Sequence, residues 1–158
     1  MRRLSDIRHY LLPALTLFLL TGCMEDDVEE IFCSGTWYVV DYYTDVDWGA
    51  TNDTSAEAVN SLNNSVLSVI RNYTINFNED GTLTGNIQNG TYSGYWSADP
   101  DGRTVSITRL SATVSLSGNN KTFIEYLEEC AYYEGNSRTY LRLAPSTKDT
   151  CIQFTHSN

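Results

Sequence analysis

The chain has 158 residues, with 10 Lys/Arg against 20 Asp/Glu and a formal net charge of −10. So acidic a surface repels phosphate backbones and anionic headgroups, which argues against nucleic acid as a partner and against electrostatic attachment to a membrane. An apolar content of 41% over this length supports one compact domain.

The first ten residues, MRRLSDIRHY, carry Arg2, Arg3 and Arg8. LLPALTLFLL follows, an apolar run interrupted only by Pro13 and Thr16. A basic start and a short apolar run read as a secretion signal, because a membrane-spanning helix needs about twenty apolar residues. The run ends in Leu20-Thr21-Gly22-Cys23. This resembles the lipobox of bacterial lipoproteins. The resemblance implies a signal peptide over residues 1–22, removed before Cys23, and diacylglycerol on the Cys23 thiol as a membrane anchor.

Glu25, Asp26, Asp27, Glu29 and Glu30 come directly after. Like charges so close repel one another, so residues 23–32 are predicted to form an extended, solvated tether. An acidic stretch at this place is similar to the surface-export signal of Bacteroidetes lipoproteins. It implies an outer-membrane protein facing outward, with the periplasmic face as the alternative. Without residues 1–22, the 7 remaining Lys/Arg meet 19 Asp/Glu, since Arg2, Arg3, Arg8 and Asp6 leave with the signal.

The domain is expected over 33–158. SGTWYVVDYY, residues 34–43, reads as a strand. A helix is predicted from about residue 55 to 71, on a Thr54/Glu57 capping box and an apolar stripe of Val59, Leu62, Val66, Val69 and Ile70. The period then changes to two. YTINFN, TLTGNIQ, TYSGYWS, TVSITRL and ATVSLSG alternate as five strands, joined through turn signals such as Asp80-Gly81 and Asn89-Gly90. KTFIEYLEECAYYEG, with Phe123, Leu127, Cys130 and Ala131 at helical spacing, predicts a second helix that Gly135 would cap. TYLRLA and CIQFTH form a last hairpin. The fold class is mainly β (α+β), an eight-stranded antiparallel meander. One helix follows the first strand and another precedes the C-terminal hairpin.

Eight such strands close into a small barrel. Gly35-Thr36-Trp37 on the first strand resembles the first lipocalin motif, in which the tryptophan plugs one end. In that family a late-strand arginine packs over the tryptophan, a part the resemblance would give to Arg142. INFNEDGTLTG and YSGYWSADPDGRTVSI look like the small lipocalin-like domains of Bacteroidetes lipoproteins of unknown function. The helix after the first strand departs from that pattern.

Alternation places Trp37, Val39, Asp41, Tyr43, Phe77 and Trp96 in the barrel interior as a candidate ligand pocket, with Tyr38, Tyr42 and Tyr95 outward. No catalytic site is expected. His156 is the sole histidine after the signal, near the terminus and read as a surface residue, so no Ser-His-Asp or Cys-His set can form. Asp45, Asp47, Asn52 and Asp53 share a loop but lack calcium-loop spacing, so neither metal nor cofactor is expected.

Cys33, Cys130 and Cys151 remain beside Cys23, and an oxidising compartment allows one internal pair. Cys33 and Cys151 open the first and last strands, which makes them the candidates, with three buried thiols as the alternative. Two functions stay open: a hollow barrel binding a small apolar or amphipathic ligand, and a side-chain-filled barrel acting as accessory subunit of a surface complex, a glycan-related one among the options. Gly85 and Gly94, both inward, would leave room in the first case and be overlaid by large residues in the second.

Overall fold

A computed structural model describes residues 25–50 and 53–156. Its centre is one closed antiparallel sheet. β1 (Trp37–Thr44) pairs on one side with β3 (Thr74–Phe77) and on the other with β9 (Thr150–Thr155). The ring runs from β3 through β4 (Thr82–Ile87), β5 (Gly90–Asp99), β6 (Thr104–Ala112), β7 (Cys130–Gly135) and β8 (Leu141–Pro145) to β9. A two-residue strand, β2 (Glu57–Ala58), adds to the far end of β1. Eight strands therefore close the barrel, as expected. One of the expected eight is replaced by another.

The differences have local causes. α2 (Asn64–Ile70) is far shorter than the predicted helix, because Asn63 caps it by accepting the Val66 N–H. Val59 and Leu62 lie before this cap and are exposed, Leu62 by 98%. The ATVSLSG segment forms no strand of its own. β6 runs on to Ala112 through a bulge opposite Ser93–Tyr95, with Arg109 in the left-handed region at φ 54°. α3 (Gly118–Glu129) buries Phe123, Ile124 and Leu127. It then gives way at Cys130 to β7, which pairs with β8. The helical stripe was real up to Leu127, after which the aromatic CAYYEG continues as strand.

The acidic segment also departs from expectation. α1 (Glu25–Phe32) is helical rather than extended. It leads Ile31 and Phe32, both buried, into the core.

Candidate functional site

The expected interior pocket is packed with side chains. Trp37, Val39, Ile75, Leu83, Leu141 and Phe154 are fully buried within one apolar cluster. At the α1 end, Phe32 occupies the lumen. Its ring lies 4.8 Å from Phe77, 4.9 Å from Trp96 and 4.9 Å from Tyr133. At the α3 end, Phe123 sits 5.1 Å from Tyr73 and 5.7 Å from Tyr92.

The two inward glycines leave no space either. A Cβ on Gly85 would stand 2.0 Å from the Thr74 carbonyl oxygen and 2.5 Å from the Tyr92 ring. One on Gly94 would meet Leu110 at 2.6 Å. Tyr92 and Leu110 thus overlie the glycines, the arrangement expected of a filled barrel.

Of the six interior candidates, Trp37, Val39, Phe77 and Trp96 join this core. Asp41 and Tyr43 do not. The β1–β9 register shifts between Val39 and Asp41, so that Asp41 pairs with Gln153, Tyr42 with Ile152 and Tyr43 with Cys151. Directly paired residues share a face of the sheet. The bulge thereby moves Tyr42 inward, its ring 5.3 Å from Tyr126, and turns Asp41 and Tyr43 outward. A bulge inverts the alternation beyond it, and nothing in WYVVDYY announces one.

Asp41 is only 3% exposed because the chain after β2 covers it. Its carboxylate accepts the Tyr42 N–H at 2.8 Å, the Asn60 N–H at 3.1 Å and the Asn60 side-chain amide at 2.8 Å. Three donors satisfy the buried carboxylate without a cation. The inward Tyr42 hydroxyl, by contrast, has no hydrogen-bond partner among the described residues. Burial, with Tyr73 and Tyr126 nearby, raises its pKa well above the usual phenol range.

The part that the resemblance gave to Arg142 falls to His156. The His156 ring stacks on Trp37 with centroids 3.7 Å apart. Its Nδ1 lies 3.1 Å from the Thr36 carbonyl oxygen, and its Nε2 lies 3.0 Å from both the Ser137 carbonyl oxygen and the Ser34 hydroxyl. The expected frayed terminal residue instead pins the β9 end to the β1 start. Arg142 lies on the outer face, its Nε donating to Gln153 Oε1 at 3.0 Å.

Cys33, Cys130 and Cys151 are free thiols. The expected Cys33–Cys151 bond is not formed, because the strands are antiparallel. Cys151 pairs with Tyr43 near the end of β1, whereas Cys33 precedes its start. At about 3.3 Å per residue, that separation far exceeds disulfide reach. Burial pushes the Cys151 thiol up to about 11, with Arg142 opposing and Glu134 and Asp53 adding to the rise.

Two open clefts mark the outer surface. One, about 380 Å³, runs over β3 to β6 among hydroxyls and amides that include Asn76, Thr84, Asn86, Ser93 and Ser111. The other, about 420 Å³, lies over β7 to β9 and is lined by Glu134, Tyr140, Arg142 and Gln153. Sequence reasoning missed the second, because it depends on cross-strand registers. Among the described residues no His/Cys/Asp/Glu group of three or more is placed to hold a metal.

A DUF4847 family protein from Bacteroides vulgatus ATCC 8482, known from a crystal structure, is 39% identical. The match covers 82% of this chain and 97% of that one, with a TM-score of 0.72. A protein from Burkholderia xenovorans solved by NMR shares the fold at a TM-score of 0.54 and 13% identity, over 96% of this chain and 98% of that one. No curated protein matches the chain. The profile of a domain of unknown function, DUF4847, matches residues 24–156, and the chain belongs to that family.

Proposed function

We propose that this protein is a non-enzymatic lipoprotein of the cell envelope, anchored through Cys23. Its filled barrel would be a rigid structural and interaction module, an accessory subunit at the outer-membrane surface. The observation that carries the reading is the occupied lumen, with Phe32 wedged among Phe77, Trp96 and Tyr133 and the inward glycines overlaid. An apolar ligand inside would have to displace these rings, so binding falls to the outer surface. Anchorage is supported by the lipobox-like Leu20-Thr21-Gly22-Cys23 and by the basic and apolar segments before it.

Native mass spectrometry of the chain purified from a bacterial host tests the barrel. The expected result is a protein mass without a bound small molecule. A lipid-sized adduct that is lost on denaturation would overturn the filled barrel. Anchorage is tested separately by radiolabelled fatty acid, whose incorporation should vanish in Cys23→Ser.

A further inference from the structure

The cleft over β7 to β9 holds an unusual arrangement of charge. Glu134 on β7 stands opposite Arg142 on β8, and Arg142 opposite Gln153 on β9, so acid, guanidinium and amide form one row on the outer face. Gln153 holds the Arg142 Nε at 3.0 Å, and the Tyr140 ring centre lies 5.7 Å from the guanidinium carbon. These contacts orient the planar fork while engaging one of its five N–H donors. Among the described residues Arg142 forms no ion pair, even in a chain of net charge −10 with Glu134 as its neighbour.

The nearby carboxylates are differently engaged. Asp41, beyond Gln153 in the same row, is saturated by Tyr42 and Asn60. Asp53 already accepts from the Asp47, Ser55 and Ala56 backbone N–H groups and from the Ser55 hydroxyl. Among the described residues, the rest of the Arg142 fork and the Glu134 carboxylate remain open to a ligand. The cleft volume, about 420 Å³, falls within the usual small-molecule range of roughly 300–1,000 Å³.

We propose that this cleft binds a small zwitterion, a free amino acid or a dipeptide, with its carboxylate on Arg142 and its ammonium on Glu134. A planar carboxylate matches the fork two bonds at a time. A simple anion would meet the repulsion of Glu134 and Asp53, and a simple cation that of Arg142, so both charges are required for a good fit. The inference goes beyond the accessory-subunit reading and does not depend on it, because the cleft lies outside the barrel.

The test follows the Arg142 Nε–H resonance of the ¹⁵N-labelled full chain in detergent micelles. Free L-amino acids and L-alanyl-L-alanine are added one at a time, with their amides and acetate as comparisons. At least one zwitterion should give a saturable shift with a Kd of about millimolar or tighter. Its amide should bind at least tenfold more weakly. Arg142→Gln should abolish binding, read on the Gln153 side-chain amide. Glu134→Gln, which keeps the Arg142 resonance, should weaken zwitterion binding and not that of acetate. Absence of a saturable shift with every zwitterion, or acetate binding as tightly as the best of them, would overturn the proposal.

Discussion

Tyr42 carries a cost inside the barrel. Its hydroxyl is buried with no partner among the described residues, and an unsatisfied buried polar group forfeits its hydration. Tyr42→Phe removes that group and keeps the ring packed 5.3 Å from Tyr126. The substitution should therefore be neutral or stabilising, by up to about 1 kcal/mol, in a urea titration. A loss above about 1 kcal/mol would mean that the hydroxyl has a partner in solution. Asp41, one residue earlier, shows the opposite condition, a buried carboxylate fully satisfied by Asn60 and Tyr42. Asp41→Ala strands those donors and should cost about 1–3 kcal/mol by the same titration. The presence of an acid among the apolar residues of the first strand was legible at Asp41. Its outward face was not, because the parity of β1 depends on a bulge chosen by pairing with β9.

At the scale of elements, hairpins were the most legible. Asp80-Gly81 and Asn89-Gly90 mark turns by local chemistry, and Gly81 and Asn89 indeed take positive φ. Helix ends and β7 were less so. α3 runs into β7 at Glu129–Cys130 with no Gly, Pro or turn signal between them, and only the pairing of β7 with β8 decides where one stops. Close packing of β4 on its neighbours makes Gly85 a point of no tolerance. Gly85→Ala forces a Cβ within 2.0 Å of the Thr74 backbone oxygen, so the strands must part. The expected loss is about 3 kcal/mol or more, since the obstacle is backbone rather than a movable side chain. Circular dichroism melting of the purified variant reads it. α1 is a second test, because removing its Phe32 ring empties the lumen at that end. Phe32→Ala should cost about 3–5 kcal/mol in denaturant. A negligible loss would show that α1 does not close the barrel.

The whole molecule couples its buried ionisable groups to pH. The Cys151 thiol is pushed up to about 11 in the fold, from an ordinary value of 9.0. Between these values the unfolded chain releases a proton that the folded chain retains. Stability is then fully present below about pH 9 and declines as pH rises towards 11. Burial raises Cys130, Tyr92 and Tyr126 as well, extending the decline further into alkali. Denaturation midpoints measured from pH 7 to 11 should fall monotonically above pH 9 and fall less in Cys151→Ala. The closed antiparallel sheet was legible at this scale from the alternating segments, with β7 standing in the ring where ATVSLSG was expected. The filled lumen was not, since it depends on where α1 places Phe32.

The seam between β1 and β9 has a temporal consequence. Tyr38 pairs with Thr155, so the second edge of β1, the one not facing β3, is paired only when the last strand of the ring has been made. On a chain delivered N-terminus first at about 5–20 residues per second, that partner arrives several seconds after β1. Through that interval β1 is an aromatic edge with open N–H and C=O groups, the kind of surface that pairs with other chains. That edge therefore stays open to misassembly until β9 arrives.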